Sequence, residues 1–363
     1  MTSEHGIKKI VVEDDLRVDW VSGGSSHFSF MWLRDNARDP RSFNIRTHQR
    51  LVFTADLDPA IRPISNKLDD EGVLLRWPGK DTEVLYRSSF LYQYRSNQPA
   101  RSCEVPTWAD DFNAPRIEFS SLEKSDTELL ESIWRCGVSV ITGCPKELSS
   151  VEILAEKFGY VRRTIFGGVW SFEADGAMDD SAYSAESLRP HTDGTYSFDP
   201  PGVQILLCLE KEGEGAESIF VDGFHVAEKL RVAEPEVFDD LCQIPITGIY
   251  KGDGVVLRAE HPVFRVREGR VCQVCFNNYD RDVMTFSGER LERAYRGIRA
   301  VDNLFNELGN QWRYILLPGE AIVFDNWRVL HGRTKYKGKR KIVGAYINRE
   351  DLESRFISRD IYA

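Results

Sequence analysis

The sequence of 363 residues lacks several features that would place it in large classes of protein. No apolar run approaches the roughly 20 residues that a membrane-spanning helix needs. The formal net charge of −10 leaves no basic stripe for phosphates, so we expect neither a membrane nor a nucleic-acid partner. The start, MTSEHGIKKIVVEDD, has neither the apolar core of a signal peptide nor the arginine-rich character of a transit peptide. We therefore expect a soluble, cytoplasmic protein.

Paired cysteines are also scarce. The seven cysteines are odd in number and scattered, as expected of reduced thiols. Cys272 and Cys275 form an isolated C-x-x-C in a strand-like segment, where side chains three apart point to opposite faces. The sequence also has no G-x-S-x-G elbow and no Walker sequence. These absences argue against a cysteine metal site, a serine hydrolase and a P-loop protein.

Short strand-like runs between turn residues fill the N-terminal part of the chain. They are IKKIVVEDD, HFSFMWLRD, QRLVFTADL, GVLLRW and TEVLYR. The segment 96–116 holds three prolines and little periodicity, so a domain boundary is expected there. We assign residues 1–100 to a small N-terminal β domain and residues 101–363 to a second domain.

The second domain is predicted to be mostly β with flanking helices. Capping-box patterns at Ser125–Glu128 and Ser149–Glu152 predict two helix starts. From residue 202 strands dominate, interrupted by helices near 224–243 and 288–309. Many short strands with few βαβ repeats favour a barrel or jelly roll over a doubly wound sheet.

A histidine and an aspartate lie one residue apart in RPHTDGTYSFDPPG. In an extended segment His191 and Asp193 point to the same side and can reach one metal ion. A mononuclear non-haem iron site needs a second histidine, and His331 at the end of a strand-like run is the best candidate. Arg340 follows where a returning strand could bring its guanidinium to the same cavity, suited to a carboxylate such as that of 2-oxoglutarate.

Each of these residues has a plainer explanation when it is considered alone. An H-x-D sequence is more often a capped turn, and His331 could be a hydrogen-bonded strand end. The lysines between residues 335 and 341 are more typical of a solvated hairpin loop. The combination is more specific than its parts, and it favours a metal site.

Longer motifs add a resemblance to a known family. HTDGTYSFDPPGVQILLCLEKEGEGAESIFVDGF, FNNYDRD, FDNWRVLHGR and GAYINRED resemble the trimethyllysine dioxygenase and γ-butyrobetaine dioxygenase family of Fe(II)/2-oxoglutarate oxygenases. NNYDRD and NWRVLHGR are closer to the trimethyllysine branch. The N-terminal segments FMWLRDNARDPRSFNIRTHQR and RWPGKDTEV match as well, so the resemblance covers almost the whole chain.

The resemblance implies a double-stranded β-helix (jelly-roll) catalytic domain and a set of cofactors. Fe(II) would be held by His191, Asp193 and His331, and Arg340 would bind the distal carboxylate of 2-oxoglutarate. O2 is the other cosubstrate, with ascorbate as a supporting reductant. The resemblance also implies a homodimer and a small-molecule amino-acid substrate.

The sequence departs from the family in the N-terminal domain. The family's structural zinc is bound by cysteines after the WLRD segment, where this chain has Ala37 and Ser42. Because His48 alone cannot supply the usual four ligands, we predict no structural zinc. The domain would instead be held by packing of Phe28, Phe30, Trp32 and Leu33.

The resemblance also implies a substrate pocket with an aromatic cage for a trimethylammonium group. The matching positions are Phe166, Trp170, Tyr183 and Tyr346. Asp180 is placed to pair with a substrate ammonium, and Asn277 to contact a substrate carboxylate. Rings at these positions are equally typical of an ordinary core.

The leading prediction is a dioxygenase that oxidises an unactivated C–H bond of an amino acid, by hydroxylation of Nε-trimethyllysine. One alternative is a paralogue in secondary metabolism that oxidises another, aliphatic amino acid by hydroxylation, desaturation or ring closure. An alternative of another class is a non-catalytic binding protein of the same fold. A non-catalytic relative would be expected to have lost one of the four site residues His191, Asp193, His331 and Arg340, and all are present.

Overall fold

Two separately packed units, residues 1–102 and 103–363, make up the chain. The computed structural model describes residues 5–79, 83–95, 105–173, 185–252 and 254–361. No helix within these ranges is long and apolar enough to span a bilayer.

The first unit consists mainly of short antiparallel strands. β1, β2 and β3 form one sheet, β6, β7 and β8 form another, and β4 pairs with β5. The elements are β1 (Ile7–Val12), β2 (Leu16–Trp20), β3 (Ser25–Phe28), α1 (Phe30–Asp35), β4 (Phe43–Asn44), β5 (Gln49–Arg50), β6 (Ser65–Asp69), β7 (Gly72–Arg76), β8 (Glu83–Arg87) and α2 (Ser88–Gln93). Their core includes Phe28, Phe30 and Leu33, with Trp32 packed against it.

Two segments of this unit differ from the predicted strands. HFSFMWLRD divides into β3 and α1, because the Ser29 hydroxyl accepts a hydrogen bond from the Trp32 N–H at 3.2 Å and caps a helix. QRLVFTADL is a strand only at Gln49–Arg50 and ends in a 3-10 turn at Thr54–Asp56. Local capping outweighs β propensity in the first case.

The second unit contains two larger sheets and several hairpins. Its elements are β9 (Arg116–Glu118), α3 (Thr127–Cys136), β10 (Val138–Thr142), α4 (Leu148–Glu156), β11 (Val161–Arg162), β12 (Trp170–Glu173), β13 (Leu188–His191), β14 (Val203–Lys211), β15 (Glu214–Gly215), β16 (Ser218–Asp222), α5 (Gly223–Ala233), α6 (Pro235–Gln243), β17 (Ile246–Gly252), β18 (Val255–His261), β19 (Phe264–Arg267), β20 (Arg270–Val274), α7 (Glu289–Asn306), β21 (Trp312–Tyr314), β22 (Ala321–Asp325), β23 (Val329–Arg333), β24 (Tyr336–Lys337), β25 (Arg340–Ile347) and α8 (Arg349–Ser358). The predicted mostly β architecture with flanking helices is confirmed.

The two sheets face each other. The larger has the order β11-β25-β14-β22-β10-β9, with β12 also paired to β25, and the smaller has the order β13-β23-β16-β21. One apolar cluster draws residues from both, including Phe220 of β16 and Phe324 of β22, whose rings lie 5.6 Å apart. The space between the sheets is therefore partly filled core and partly the cavity described below.

Helices cover the outer face of the larger sheet. Along β25, Val343, Ala345 and Ile347 pack with residues of α3, α4 and α8. Because side chains alternate along a strand, Arg340, Ile342 and Tyr346 point to the other face. This alternation directs one row of β25 side chains towards the smaller sheet.

Both predicted capping boxes are wrong in detail. α3 begins at Thr127 after Asp126, whose side chain makes no capping bond, while Ser125 accepts from the Thr127 N–H at 3.2 Å. α4 begins at Leu148, so Ser149 lies inside the first turn. α3 ends at Gly137, which adopts φ 73°, and a Cβ there would meet the Arg328 and Val329 side chains at 2.9 Å.

Candidate metal and substrate site

Strand pairing brings two distant histidines together. β13 and β23 are antiparallel, with His191 directly opposite His331, and the two imidazole centroids lie 4.4 Å apart. β23 is held on its other side by β16, where Phe220 is the partner of His331. A separation of 140 residues in sequence thus becomes a neighbouring pair on one sheet.

Asp193 completes the cluster from the turn after β13. Its Oδ1 lies 3.5 Å from the His191 Nε2, and its Oδ2 lies 3.7 Å from the His331 Nε2. One potential ligand atom from each of the three residues lies within 4.8 Å of the other two. The spacing is that of atoms that share one ion.

The hydrogen bonds of His191 determine which ring nitrogen faces the cluster. Its Nδ1 lies 2.8 Å from the Arg189 carbonyl oxygen, so Nδ1 must carry the proton that it donates. In the neutral ring Nε2 then has a lone pair directed at the Asp193 carboxylate. Burial alone would lower the pKa of His191, but Asp193 outweighs it and raises the pKa, so the 3.5 Å gap between the two side chains suits a proton or, in its place, a divalent metal ion.

Asn326 and Tyr346 hold Asp193 in place. Asn326 accepts from the Asp193 N–H at 2.9 Å and donates to the Asp193 carbonyl at 3.0 Å, while its amide also donates to the Pro201 carbonyl. The Tyr346 hydroxyl donates to the Asp193 Oδ2 at 2.8 Å. Asn326 lies in the FDNWRVLHGR motif but was not among the predicted site residues.

The electrostatics favour the ligand forms of Asp193 and His331. Burial alone would raise the pKa of Asp193, but His331, His191 and the Tyr346 hydroxyl outweigh it and lower the pKa. Burial lowers the pKa of His331 to about 4, against the opposing charge of Asp193. Near neutral pH the carboxylate is therefore ionised and the His331 imidazole neutral, as metal coordination requires.

A cavity opens beside the cluster, with about 870 Å³ of empty space when the part open to solvent is included. The inward rows of four strands line it, as alternation predicts. These rows include Arg340, Ile342 and Tyr346 of β25, His331 and Arg333 of β23, Gln204 and Leu206 of β14, and Ser218 and Phe220 of β16.

Two guanidinium groups lie in this cavity. Arg340 is the residue that the sequence analysis selected, and burial together with the charge of Arg333 lowers its pKa to about 10. Arg333 was not selected, although it is two residues from His331 on the same strand face, and period two would have identified it. A buried and a partly buried guanidinium in one cavity favour an anionic ligand.

Aromatic side chains form another wall. Phe166 and Phe172 line the cavity together with Tyr346, and the two phenylalanine rings lie 6.1 Å apart. Trp170 is 3% exposed and packs beneath Phe172 and Tyr346, at 4.4 and 5.3 Å between centroids, so it supports this wall and is not among the described lining residues. Phe172 shares its strand face with Trp170 and was not predicted.

The remaining predicted substrate residues divide into two groups. Asn277 lines the cavity next to Asp280, a carboxylate that the sequence analysis did not select. Asp180 and Tyr183 lie outside the described residues.

Comparisons with known proteins agree with this geometry. Residues 103–346 match the family described as "Taurine catabolism dioxygenase TauD, TfdA family". The chain is 32% identical to a trimethyllysine dioxygenase of Meyerozyma guilliermondii, covering 97% of this chain and 95% of the relative. It is 26% identical to the γ-butyrobetaine dioxygenase of Homo sapiens, covering 94% and 93%. Among solved structures, an asparagine oxygenase in complex with Fe(II), 3-hydroxyasparagine and succinate has a TM-score of 0.51 at 16% identity, covering 63% of this chain and 80% of that one.

Proposed function

The chain belongs to the TauD, TfdA family of dioxygenases, and from that premise we propose that it is an Fe(II)- and 2-oxoglutarate-dependent enzyme that hydroxylates Nε-trimethyllysine. The observation that carries the proposal is the convergence of His191, Asp193 and His331 beside a cavity that also contains Arg340. Two imidazoles and one carboxylate on one face are the ligand set of mononuclear non-haem iron oxygenases, in which other coordination positions stay open.

The three residues would hold the metal, and the chain around them would supply its orientation. Fe(II) bound there supplies the activation of O2 that couples oxidation of a C–H bond to conversion of 2-oxoglutarate to succinate and CO2. The Arg189 carbonyl sets the tautomer of His191, and Asn326 holds the backbone of Asp193. Because ligand orientation is set by such hydrogen bonds, little rearrangement would accompany binding.

Arg340 would bind the distal carboxylate of 2-oxoglutarate. Its partly buried guanidinium can donate two parallel N–H bonds to a carboxylate, and partial removal from water strengthens such a pair relative to the same pair in water. The neighbouring Leu206, Phe220 and Ile342 are apolar and would exclude water from the bound cosubstrate. This division of the cavity leaves the aromatic side for the substrate.

The substrate assignment is supported by the relatives and by the aromatic wall. A trimethyllysine dioxygenase matches over nearly the whole length of both chains, at higher identity than a γ-butyrobetaine dioxygenase. A quaternary ammonium cannot donate hydrogen bonds, and ring faces attract it by about 0.5–2 kcal/mol each. Phe166, Phe172 and Tyr346 offer such rings on one side of the cavity. Roles for Asp180, Tyr183 and Asn277 in substrate binding remain predictions.

A coupled-turnover screen tests the proposal. Purified protein is incubated with Fe(II), 2-oxoglutarate, ascorbate and, separately, trimethyllysine, γ-butyrobetaine, lysine or leucine, and succinate and product mass are measured. We expect succinate and a product with one added oxygen atom from trimethyllysine, with neither when Fe(II) is replaced by Zn(II).

Other outcomes distinguish the alternatives. Turnover with leucine and none with trimethyllysine would contradict the proposed substrate and favour the paralogue that oxidises an aliphatic amino acid. A product that has lost two hydrogen atoms would indicate desaturation or ring closure. If no substrate yields succinate although 2-oxoglutarate binds, the non-catalytic alternative is favoured.

The proposal includes a cytoplasmic location and a homodimer. The location was inferred from the sequence and the dimer from the family resemblance. Subcellular fractionation and light scattering of the purified protein test them independently of the activity.

A further inference from the structure

The segment that follows β20 carries a carboxylate to the edge of the proposed substrate cavity. Its backbone is joined to β17, because the Ile249 N–H donates to the Asp280 carbonyl at 2.7 Å and the Asp282 N–H donates to the Thr247 carbonyl at 2.9 Å. An isolated bridge between Gly248 and Arg281 adds to these bonds. Asp280 therefore lies in a loop that backbone hydrogen bonds fix to β17.

Hydrogen bonds also orient the Asp280 side chain. The Asn277 Oδ1 accepts from the Tyr279 N–H at 2.9 Å, which turns the Asn277 amide nitrogen towards the Asp280 Oδ2 at 2.8 Å. The side-chain oxygen of Asn277 thus accepts a hydrogen bond within the loop, and its side-chain nitrogen donates one to the Asp280 carboxylate. Asn277 acts on Asp280 and is a positioning residue.

The same loop lies against a metal-ligand candidate. The Tyr279 ring meets the His191 ring edge-on at 5.8 Å, and the Tyr279 hydroxyl accepts from the Arg189 N–H at 2.8 Å. Asp280 and His191 both line the cavity. A group bound to Asp280 would therefore occupy the same cavity as the candidate metal ligands.

The charges of the cavity indicate what Asp280 would bind. Among the described lining residues, the carboxylates are Asp193 and Asp280 and the guanidinium groups are Arg333 and Arg340. The arginines suit the anionic cosubstrate, and Asp193 faces the two imidazoles. A carboxylate on this wall repels an anion such as 2-oxoglutarate and attracts a cationic group of the substrate.

Nε-Trimethyllysine carries two cations of different chemistry. Its quaternary ammonium has no N–H group and suits ring faces, whereas its α-ammonium has three N–H donors and suits a carboxylate. γ-Butyrobetaine has the first cation and lacks the second. The cavity offers both kinds of partner, in Phe166 and Phe172 on one wall and Asp280 on another.

We propose that Asp280 selects substrates that have a free α-ammonium group, by accepting hydrogen bonds from it, and that Asn277 positions Asp280 for this role. The inference rests on the proposed function, since it concerns the substrate of the same site. It assigns to Asp280 the discrimination between an α-amino acid and its deaminated analogue.

The test compares two substrates that differ only in the α-amino group, trimethyllysine and 6-(trimethylammonio)hexanoate. We expect Asp280→Asn to lower kcat/KM for trimethyllysine by roughly 10- to 100-fold, mainly through KM, because a hydrogen bond to a charged group is lost. The analogue, a poor substrate of the wild type, should change less than about 3-fold. Asn277→Ala should give a smaller loss with the same selectivity.

Asp282→Asn is the matched control. Asp282 belongs to the same loop but pairs with Arg258 and does not line the cavity, so both substrates should be unaffected. Equal losses of both substrates in Asp280→Asn, or no loss, would overturn the inference. A selective loss in Asp180→Asn with none in Asp280→Asn would overturn it as well.

Equilibrium binding separates this inference from the proposed function. Calorimetry with the anaerobic protein, Mn(II) and 2-oxoglutarate measures the affinity for both compounds without turnover. A wild type that binds them equally overturns the inference and leaves the oxygenase activity standing. If the wild type oxidises another amino acid and not trimethyllysine, the proposed substrate fails, and that amino acid with its deaminated analogue then decides the role of Asp280.

Discussion

Two aspartates of the second unit, one fully buried and one partly buried, show opposite ways of compensating a charge. Asp222 is fully buried and is paired with the guanidinium of Arg328, at 2.7 and 3.0 Å, and it also accepts from the Trp108 and Phe224 N–H groups. Asp193 faces two imidazoles and one hydroxyl, with no guanidinium or ammonium group bonded to it among the described residues.

The difference separates a structural charge from a functional one. Around Asp222 the chain supplies a full opposite charge, so nothing further can bind. Around Asp193 it supplies two imidazoles and a hydroxyl donor but, among the described residues, no guanidinium or ammonium group, which leaves room for an ion to complete the compensation. The residue type is the same, and the identity of the surrounding donors decides the role.

The largest expected effect is on activity at Asp193. Asp193→Ala removes a ligand, so turnover with trimethyllysine should fall by more than the roughly 100-fold that is typical of losing a hydrogen-bond partner of a ligand. The free energy of unfolding of the metal-free protein should change by less than about 2 kcal/mol. Succinate assays and urea unfolding measure the two quantities, and retained activity would remove Asp193 from the proposed site.

The opposite result is expected at Asp222. Asp222→Asn leaves the Arg328 guanidinium, which is 2% exposed, without its counter-charge, and the free energy of unfolding should fall by about 3–5 kcal/mol. Urea unfolding measures this loss. Glu186→Gln, which breaks the exposed pair with Lys335, is the control and should cost less than about 1 kcal/mol. Comparable losses at the two positions would contradict the comparison.

Much of the site around Asp193 could be predicted from the sequence, whereas the ion pair between Asp222 and Arg328 could not. H-x-D spacing and strand alternation were sufficient to select His191 and Asp193, and the downstream motif added His331. No local pattern links Asp222 to Arg328, because their contact depends on the approach of β16 and β23 over 106 residues.

Where the prediction was incomplete, the reason is also geometric. Arg333 and Phe172 follow from period two once the strands are known, whereas the orientation of Asp280 depends on the join between its loop and β17. α1 could not be read from propensity, because the Ser29 side chain caps it, and α4 begins one residue before the predicted Ser149, after Glu147, whose side chain makes no capping bond.

The buried thiol of Cys275, which has no ion-pair partner among the described residues, extends the comparison. Burial raises the pKa of Cys275 to about 12, so this thiol stays neutral in the folded protein while the unfolded chain ionises from about pH 8.5. Its contribution to stability is therefore complete below about pH 8.5 and is lost by about 1.4 kcal/mol per pH unit as the pH rises towards 12.

Urea unfolding at several alkaline pH values measures this loss. Cys275→Ala should flatten the decline of the free energy of unfolding with pH, whatever its effect at neutral pH. Cys272→Ala is the matched control, because Cys272 is only partly buried and should alter the slope less. Identical slopes for the wild type and Cys275→Ala would show that this thiol does not stay neutral in the fold.

The smallest expected effect is that of a chelator on the folding of the first unit, for which no structural zinc is predicted. At the positions where the family resemblance implies zinc ligands, this chain has Ala37 and Ser42, and the Ser42 hydroxyl accepts from the buried Arg34 guanidinium at 3.0 Å. The Tyr86 hydroxyl accepts from the Trp77 ring N–H and donates to the Leu33 carbonyl, so hydrogen bonds tie the segment after β3 to β8.

Chelation should therefore abolish turnover and leave the first unit folded. A structural zinc would contribute about 10–16 kcal/mol, so its removal could not pass unnoticed. Full-length protein dialysed against a chelator should contain no zinc by elemental analysis, and limited proteolysis should still spare residues 1–102. Ser42→Ala, which leaves the Arg34 donor unpaired, should lower the free energy of unfolding by about 1–3 kcal/mol, with or without chelator. Zinc retention together with chelator-induced cleavage of this unit would mean that other residues bind the metal, and the contrast between a unit held by packing and a site completed by an ion would fail.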